Sequence, residues 1–437
     1  MSRFKKYEKY KNSEILWTPI IPEHWDILPN KTFLTQEKKT VGTISKNYNL
    51  LSLTKNGVII RDLSQMKGKF PAEFNSYKIV FPNRLILCLF DMDETPRTVG
   101  LSNNTGMITR AYDVLKINNI NEKYIYYYYL HLDNSKDLKP LYRGLRKTIK
   151  IGTFLSQKMP VPPIEEQNKI VNFITHKEKQ INKLIRKQKR LIELLQEKKK
   201  VIITEAVTKG LDKNAPMKDS GIEWIGKIPN NWNVIKFKFL ADIKNGGDYK
   251  DVEVASGGYP VMGSGGEFAR ASKYLYNKPS ILLGRKGTIG KPIYMDEPFW
   301  CVDTMFYSEV SKNVYPKFLF YASHLIRYEY YQTSTALPSM TQRDIGNEFI
   351  RIPDYNNQIL ISNYLDKKCK NFNDIIDNKE AIITKLEEYK KSLIASAVTG
   401  QIDIRDYEIK DIIEDDTIEQ VEEENNLSES EVEYANC

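Results

Sequence analysis

Histidine is scarce in this chain, with four among 437 residues, at His24, His131, His176 and His324. None forms a His-Glu-x-x-His pair, so a zinc hydrolase is not expected. Cysteine is equally sparse. Cys88, Cys301, Cys369 and Cys437 show no Cys-x-x-Cys spacing, which argues against a structural zinc site and fits a reducing compartment. The longest apolar stretches, such as 79–90, are broken well before the roughly 20 residues a bilayer span requires. The opening Met1-Ser-Arg-Phe-Lys-Lys has no apolar run and no small-residue cleavage site, so a signal peptide is not expected and a cytoplasmic location is. Catalytic signatures are missing too: no Walker pair, no Gly-x-Ser-x-Gly and no Asn-Pro-Pro-Tyr/Phe of amino-methyltransferases. Asp91 and Asp93 lack the Glu-x-Lys partner of a metal-dependent nuclease. No active site and no bound metal are expected.

What is present is a duplication. Ser13, Trp17, Ile21, Pro22 and Trp25 return as Ser220, Trp224, Ile228, Pro229 and Trp232, each 207 residues on. Pro162-Pro-Ile-Glu-Glu-Gln167 is echoed by Pro353-Asp-Tyr-Asn-Asn-Gln358, and Ala206-Val-Thr208 by Ala397-Val-Thr399, each 191 residues on. A period near 200 residues is that of a whole domain with its connector. The middle of the first half is longer by 16 residues, and nothing obvious aligns within the two middles. One scaffold carrying two different readers is expected.

Each half closes on a long helix. From Glu165 to about Ala206 there is neither Pro nor Gly, and Ile170, Ile174, Ile181, Leu184, Leu191, Leu195 and Ile202 mark an apolar seam at heptad spacing. The second copy carries Ile361, Leu365, Phe372, Ile375, Ile382, Leu386, Tyr389 and Leu393, with Lys379 where the first has Gln188. About 40 helical residues extend about 60 Å. Two such helices are expected to pack antiparallel about a pseudo-twofold axis, with Ile174, Ile181, Leu195, Ile202, Leu365, Phe372, Leu386 and Leu393 at the interface; the alternative is that each is only a wall of its own domain.

The net charge is +9, but residues 406–437 hold 13 acidic side chains against Lys410 alone, so the rest carries about +21. Such a surplus attracts a polyanion, although a Lys- and Asn-rich composition of any origin would also produce it. The tail is expected to be disordered. In the second middle, Ser280-Ile-Leu-Leu283 reads as a buried strand followed by Gly284-Arg-Lys-Gly-Thr-Ile-Gly290, and Tyr259-Pro-Val-Met262 leads into Gly263-Ser-Gly-Gly266. These loops are plain turns or anion-binding loops; neither fits a Walker or a dinucleotide fingerprint. The first middle has an aromatic run, Tyr124–Tyr129, read as core, and a basic stretch ending at Lys150.

Together, the Ile-Pro-x-x-Trp entries at 21–25 and 228–232, the Pro-Pro-Ile-Glu-Glu-Gln hinge, the 284–290 loop and the paired Ala-Val-Thr helix ends resemble the specificity subunit of type I restriction-modification enzymes. The second hinge departs from that pattern, with Asn356 and Asn357 in place of the acidic pair. The resemblance covers roughly residues 13–405 and implies an α+β, internally duplicated architecture. It would comprise target recognition domains at 13–160 and 211–352 (the latter with its linker), connecting helices at 161–210 and 353–405 packed as an antiparallel coiled coil, and an acidic tail at 406–437. It implies a non-catalytic chain whose two domains each read half of a bipartite, asymmetric double-stranded DNA target, with the helices as ruler of the gap. Two methyltransferase subunits binding S-adenosylmethionine would methylate adenines, and two motor and nuclease subunits would use ATP and Mg. No cofactor would bind this chain, and no membrane is involved. Expected DNA contacts, from loop position and donor type, are Arg143, Arg146, Lys147 and Lys150 in the first domain and Ser264, Gly265, Arg270, Arg285, Lys286 and Gly287 in the second. A DNA-binding adaptor of another defence assembly and a structural coiled-coil scaffold are the alternatives.

Overall fold

The computed structural model describes residues 4–61, 73–144, 147–331 and 339–408. Six α-helices occur among them: α1 (Glu122–Ser135), α2 (Ile151–Ser156), α3 (Ile164–Lys209), α4 (Pro316–Ser323), α5 (Gln342–Asn347) and α6 (Tyr355–Val398). The chain divides into two compact units, one of residues 1–186 with 383–437 and the other of residues 187–382. The helices α3 and α6 therefore each contribute to both. The acidic tail beyond 408 lies outside the described residues.

Unit 1 is built on a four-stranded antiparallel sheet in the order Leu34–Glu37, Asp113–Ile117, Arg84–Leu87, Val99–Ser102. Unit 2 repeats it as Ala241–Asn245, Met305–Val310, Ser280–Gly284, Ile293–Met295, again antiparallel. The two middles are thus not unrelated. Their common sheet escapes sequence comparison because strands of three to six residues are specified only by being apolar, and any apolar residue satisfies that. Each unit then adds its own pieces. Unit 1 carries a hairpin of Leu51–Thr54 with Gly57–Ile60, whereas unit 2 has a second sheet in the order Glu253–Val254, Gly266–Ala271, Tyr259–Gly263, Trp300–Cys301.

The residues that repeat do so for mechanical reasons. In unit 1 the buried Gln167 donates through Nε2 to the Pro162 carbonyl at 2.8 Å and accepts from the Asn121 amide, at the start of α1, at 2.9 Å. In unit 2 Gln358 donates to the Pro353 carbonyl at 2.9 Å and accepts from the Tyr315 amide, at the start of α4, at 2.8 Å. The same side chain thus ties hinge to domain helix twice. Trp25 and Trp232 are both buried, and each ring lies against the glycine that ends a long helix, Gly400 in unit 1 and Gly210 in unit 2. Gly400 has φ +71°, and a Cβ there would stand 2.3 Å from the Pro22 ring, so no other residue fits.

In unit 1 the start of α3 and the end of α6 share one core, with Ile170, Ile174, Leu393 and Val398 buried in it. In unit 2 the end of α3 and the start of α6 do the same through Ile203, Val207, Ile361 and Leu365. Lys390 Nζ donates to Asn182 Oδ1 at 3.1 Å in unit 1, and Lys199 Nζ to Asn373 Oδ1 at 2.7 Å in unit 2. Both the lysines and the asparagines of these pairs lie 191 residues apart, the spacing of the duplication.

The seam is displaced by one residue along much of its length. Leu184, Ile375, Ile382 and Tyr389 are exposed, whereas Ile185 and Ile376 are buried. Of the eight expected interface residues, Ile174, Ile181, Leu365 and Leu393 are buried and Leu195, Ile202, Phe372 and Leu386 half-buried. An α-helix turns every 3.6 residues, so an apolar residue one place off the true row still falls on a heptad template. On α6 the exposed Ile375, Ile382 and Tyr389, seven residues apart, form a second apolar row. The Tyr124–Tyr129 run is core, as its helical spacing implies: Tyr124, Tyr127, Tyr128 and Tyr129 are buried on α1.

Candidate nucleic-acid interface

In unit 2 the fully buried strand Ser280–Gly284 delivers the chain to the surface at the glycine-rich loop. Gly284 lets that loop fold back, since a Cβ there would stand 2.3 Å from the Thr288 carbonyl oxygen. Arg285 and Lys286 donate their amides to the Thr304 carbonyl at 2.9 and 3.3 Å, and Arg285 Nη1 donates to the Asp303 carbonyl at 3.1 Å. The Arg285 guanidinium lies 5.9 Å from the Phe306 ring centre. Lys286 is exposed and Gly287, with φ +80°, completes the turn. On the other side of the same segment, the Val302 amide donates to Met262 at 3.1 Å, just before the turn that holds Ser264 and Gly265. Arg285 and Lys286 thus converge on Asp303 and Thr304, Gly287 follows them in the loop, and the turn that holds Ser264 and Gly265 begins just after the Met262 carbonyl bound by Val302. Arg270 does not join them. It pairs with Pro260 at the far end of the hairpin from the turn.

Sequence reasoning missed two members of this surface. Gln342 Nε2 donates to the Ile243 carbonyl at 3.0 Å, and Asn245-Gly246-Gly247 is pinned by the Gly247 amide donating to Cys301 at 2.9 Å. The Asn-Gly-Gly triplet was the available signal, as a turn that brings backbone donors to the surface. Cys301 itself is buried, which pushes its thiol up to about 12, and burial pushes Cys88 up to about 11, so neither is a thiolate near neutral pH.

Unit 1 has the same construction with the opposite charge. The loop after Arg84–Leu87 is joined to the segment before α2 by a bridge between Phe90 and Thr148; in unit 2 the corresponding bridge joins Lys286 to Ser339, 191 residues beyond Thr148. In unit 1, however, the loop holds Asp93 and Glu94, and Lys147 Nζ donates to them at 3.1 and 2.8 Å. These carboxylates hold the Lys147 ammonium above its ordinary value, and Lys147 in turn holds the Asp93 carboxyl below the usual range. Lys147 is therefore not the unpaired cation expected from its basic neighbourhood. Its partners lie more than 50 residues away, invisible to a local count. Arg143, whose amide donates to Thr148 at 3.1 Å, and Lys150, which precedes α2, are exposed. Arg146 lies outside the described residues.

The second hinge departs in structure as it does in sequence. Glu166 is buried in unit 1 and accepts from Tyr7, from His24 Nε2 at 2.8 Å and from Trp25 Nε1 at 2.9 Å. At the equivalent place Asn357 instead donates through Nδ2 to Asp354 at 2.6 Å, and Asp354 caps the helix by accepting the Asn357 amide at 3.1 Å. Among the described residues no group of three or more His, Cys, Asp and Glu is placed to hold a metal ion, and no helix is long and apolar enough to cross a membrane.

Similarity to known proteins runs along the whole of this architecture. A solved chain from work on complex assembly and conformational transition of the type I R-M system superposes with a TM-score of 0.63 over 86% of this chain and 98% of that one, at 13% identity, and shows the shared fold. Two curated proteins of Methanocaldococcus jannaschii are similar in sequence. The type I restriction enzyme MjaVIII specificity subunit is 25% identical over 58% of this chain and 64% of its own length. A protein described as the MjaX specificity subunit is 22% identical over 92% of this chain and 99% of its own. Residues 94–194 and 229–388 match the family model of the type I restriction modification DNA specificity domain. That match covers more than half of the chain and falls once on each half of the duplication, and the protein belongs to this family of type I restriction-modification DNA specificity proteins.

Proposed function

We propose that this chain is the non-catalytic DNA-reading subunit of a type I restriction-modification complex, in which each unit reads one half of a bipartite, asymmetric duplex target. The observation that carries the reading is the recurrence, in both units, of one loop-and-bridge device with different side chains on it. A shared frame with divergent loops is what two half-sites of different sequence require. In unit 2 the surface around 302–304 offers backbone donors, hydroxyls and the cations Arg285 and Lys286, suited to phosphates. Arg285→Ala with Lys286→Ala should therefore weaken binding to specific and unrelated DNA alike. The log–log salt slope should shrink by about one to two, since each phosphate contact contributes about 0.9. An unchanged slope would remove the loop from the interface.

The helices complete the proposal. The Lys390–Asn182 and Lys199–Asn373 pairs are related by the duplication and support an antiparallel, pseudo-twofold coiled coil, which we take as the ruler for the unread gap. Gln188, half-buried with Oε1 lacking a hydrogen-bond partner among the described residues, sits in the row as register-setting polar residues do in coiled coils. The second apolar row, with Ile375 42% and Ile382 39% exposed, is the proposed seat of a methyltransferase subunit, which would bring S-adenosylmethionine; two such subunits and two ATP- and Mg-dependent motor and nuclease subunits are the expected partners. Ile375→Lys with Ile382→Lys should abolish co-purification of the methyltransferase subunit while leaving the melting temperature of this chain unaltered. Retained co-purification would move the seat elsewhere.

A further inference from the structure

Arg270 stands apart from the cluster around 302–304. It lines an open groove with Glu253, Val254, Glu267 and Phe268 along the strand Gly266–Ala271. Its Nε donates to the Gly257 carbonyl at 3.3 Å and its Nη1 to Glu267 Oε1 at 3.1 Å, while its side chain stays 37% exposed. A guanidinium has five N–H donors, so these contacts fix its plane and leave one hydrogen on Nη1 and two on Nη2 for other acceptors. Arg327, by contrast, directs Nε and Nη2 to the buried Glu348 and lies over the Trp224 ring at 4.0 Å. Arg351 is half-buried with Nη2 on the Ile225 carbonyl.

The groove's charge decides what Arg270 can meet. Two carboxylates, Glu253 and Glu267, line it beside a single guanidinium, which disfavours a phosphate. Base edges carry no net charge. A guanidinium held in a plane matches guanine O6 and N7, and a carboxylate accepts from the cytosine N4 amino group, so the same groove suits both members of one C·G pair. The scaffold is the central pair of strands in the second sheet, Tyr259–Gly263 with Gly266–Ala271, and Glu253–Val254 pairs with the strand that carries Arg270 on its other side. We propose that Arg270, held by Glu267, is a specificity-determining residue that reads a guanine in the half-site of unit 2. This rests on the DNA-reading function proposed above.

The test compares the assembled complex carrying the parent chain, Arg270→Ala or Arg270→Lys, by sequencing the methylated sites in the host and by competition binding with all four bases at each motif position. The parent should show a guanine requirement, worth about ten-fold or more, at one position of one half-site. Both variants should lose that requirement there and keep every other position, because lysine retains the charge but not the planar fork. Arg270→Lys keeps the proposal testable if the alanine variant folds poorly. Uniform weakening on all sequences with the motif intact would make Arg270 a phosphate contact and overturn the proposal, as would an unchanged motif. If the parent itself specified no motif, the functional reading would fall, and this inference with it.

Discussion

Trp25→Ala should be the most damaging single substitution in unit 1, lowering its stability by about 3–5 kcal/mol from the lost packing alone. The indole is fully buried, contacts the Tyr7 ring at 6.1 Å between centres, and donates to Glu166. Its removal also takes one of three donors from a buried carboxylate, which adds about 1–3 kcal/mol. For a unit of this size, each kcal/mol moves the midpoint by about 2–4 °C, so calorimetry should show one transition about 10 °C or more lower. Trp25→Phe should recover most of the packing and leave only the hydrogen-bond loss. A shift of a degree or two for Trp25→Ala would mean that the repeated Ile-Pro-x-x-Trp entry is not what closes the unit.

Lengthening both long helices should lengthen the DNA gap. Seven residues inserted after Arg190 in α3 and seven after Ala381 in α6 add about 10 Å, or about three base pairs at about 34 Å per ten. A whole heptad keeps each apolar row in phase. The paired insertion also leaves the Lys390–Asn182 and Lys199–Asn373 contacts on their own sides of it. The same seven residues placed in α3 alone should abolish methylation, because the rows of the two helices then lose register. A gap unchanged by the paired insertion would show that something other than the helices sets the spacing.

Trp25 and Gln167 could be singled out from the chain because each does a job that few residues can do, such as filling a fixed hole or bridging a donor and an acceptor. Such jobs keep their residue when a domain is duplicated. The four-stranded sheets could not be matched, since burial in a short strand accepts Leu85 or Leu282 or Ile86 alike. The long helices were legible in extent and type, as runs free of Pro and Gly. Their contact faces were less so: one residue of drift separates Leu184 from Ile185 and Ile375 from Ile376, and only packing decides between them.

The candidate site divides in the same way. The loop at 284–290 was legible because its glycines are demanded by a backbone that folds onto itself. The pairing of Lys147 was not legible, because its charge is answered by Asp93 and Glu94, which no local window contains. Arg270 and Arg285 look equivalent in sequence; their neighbours, two carboxylates in one case and a carbonyl with an aromatic ring in the other, make them different instruments.

The most direct test of the central claim is to sequence the methylated adenines of a host expressing the cognate methyltransferase subunit with and without this chain. One bipartite motif is expected, two unlike half-sites around a gap of fixed length, present with the chain and absent without it. A motif that persists without the chain, or one with a single undivided site, would contradict that claim.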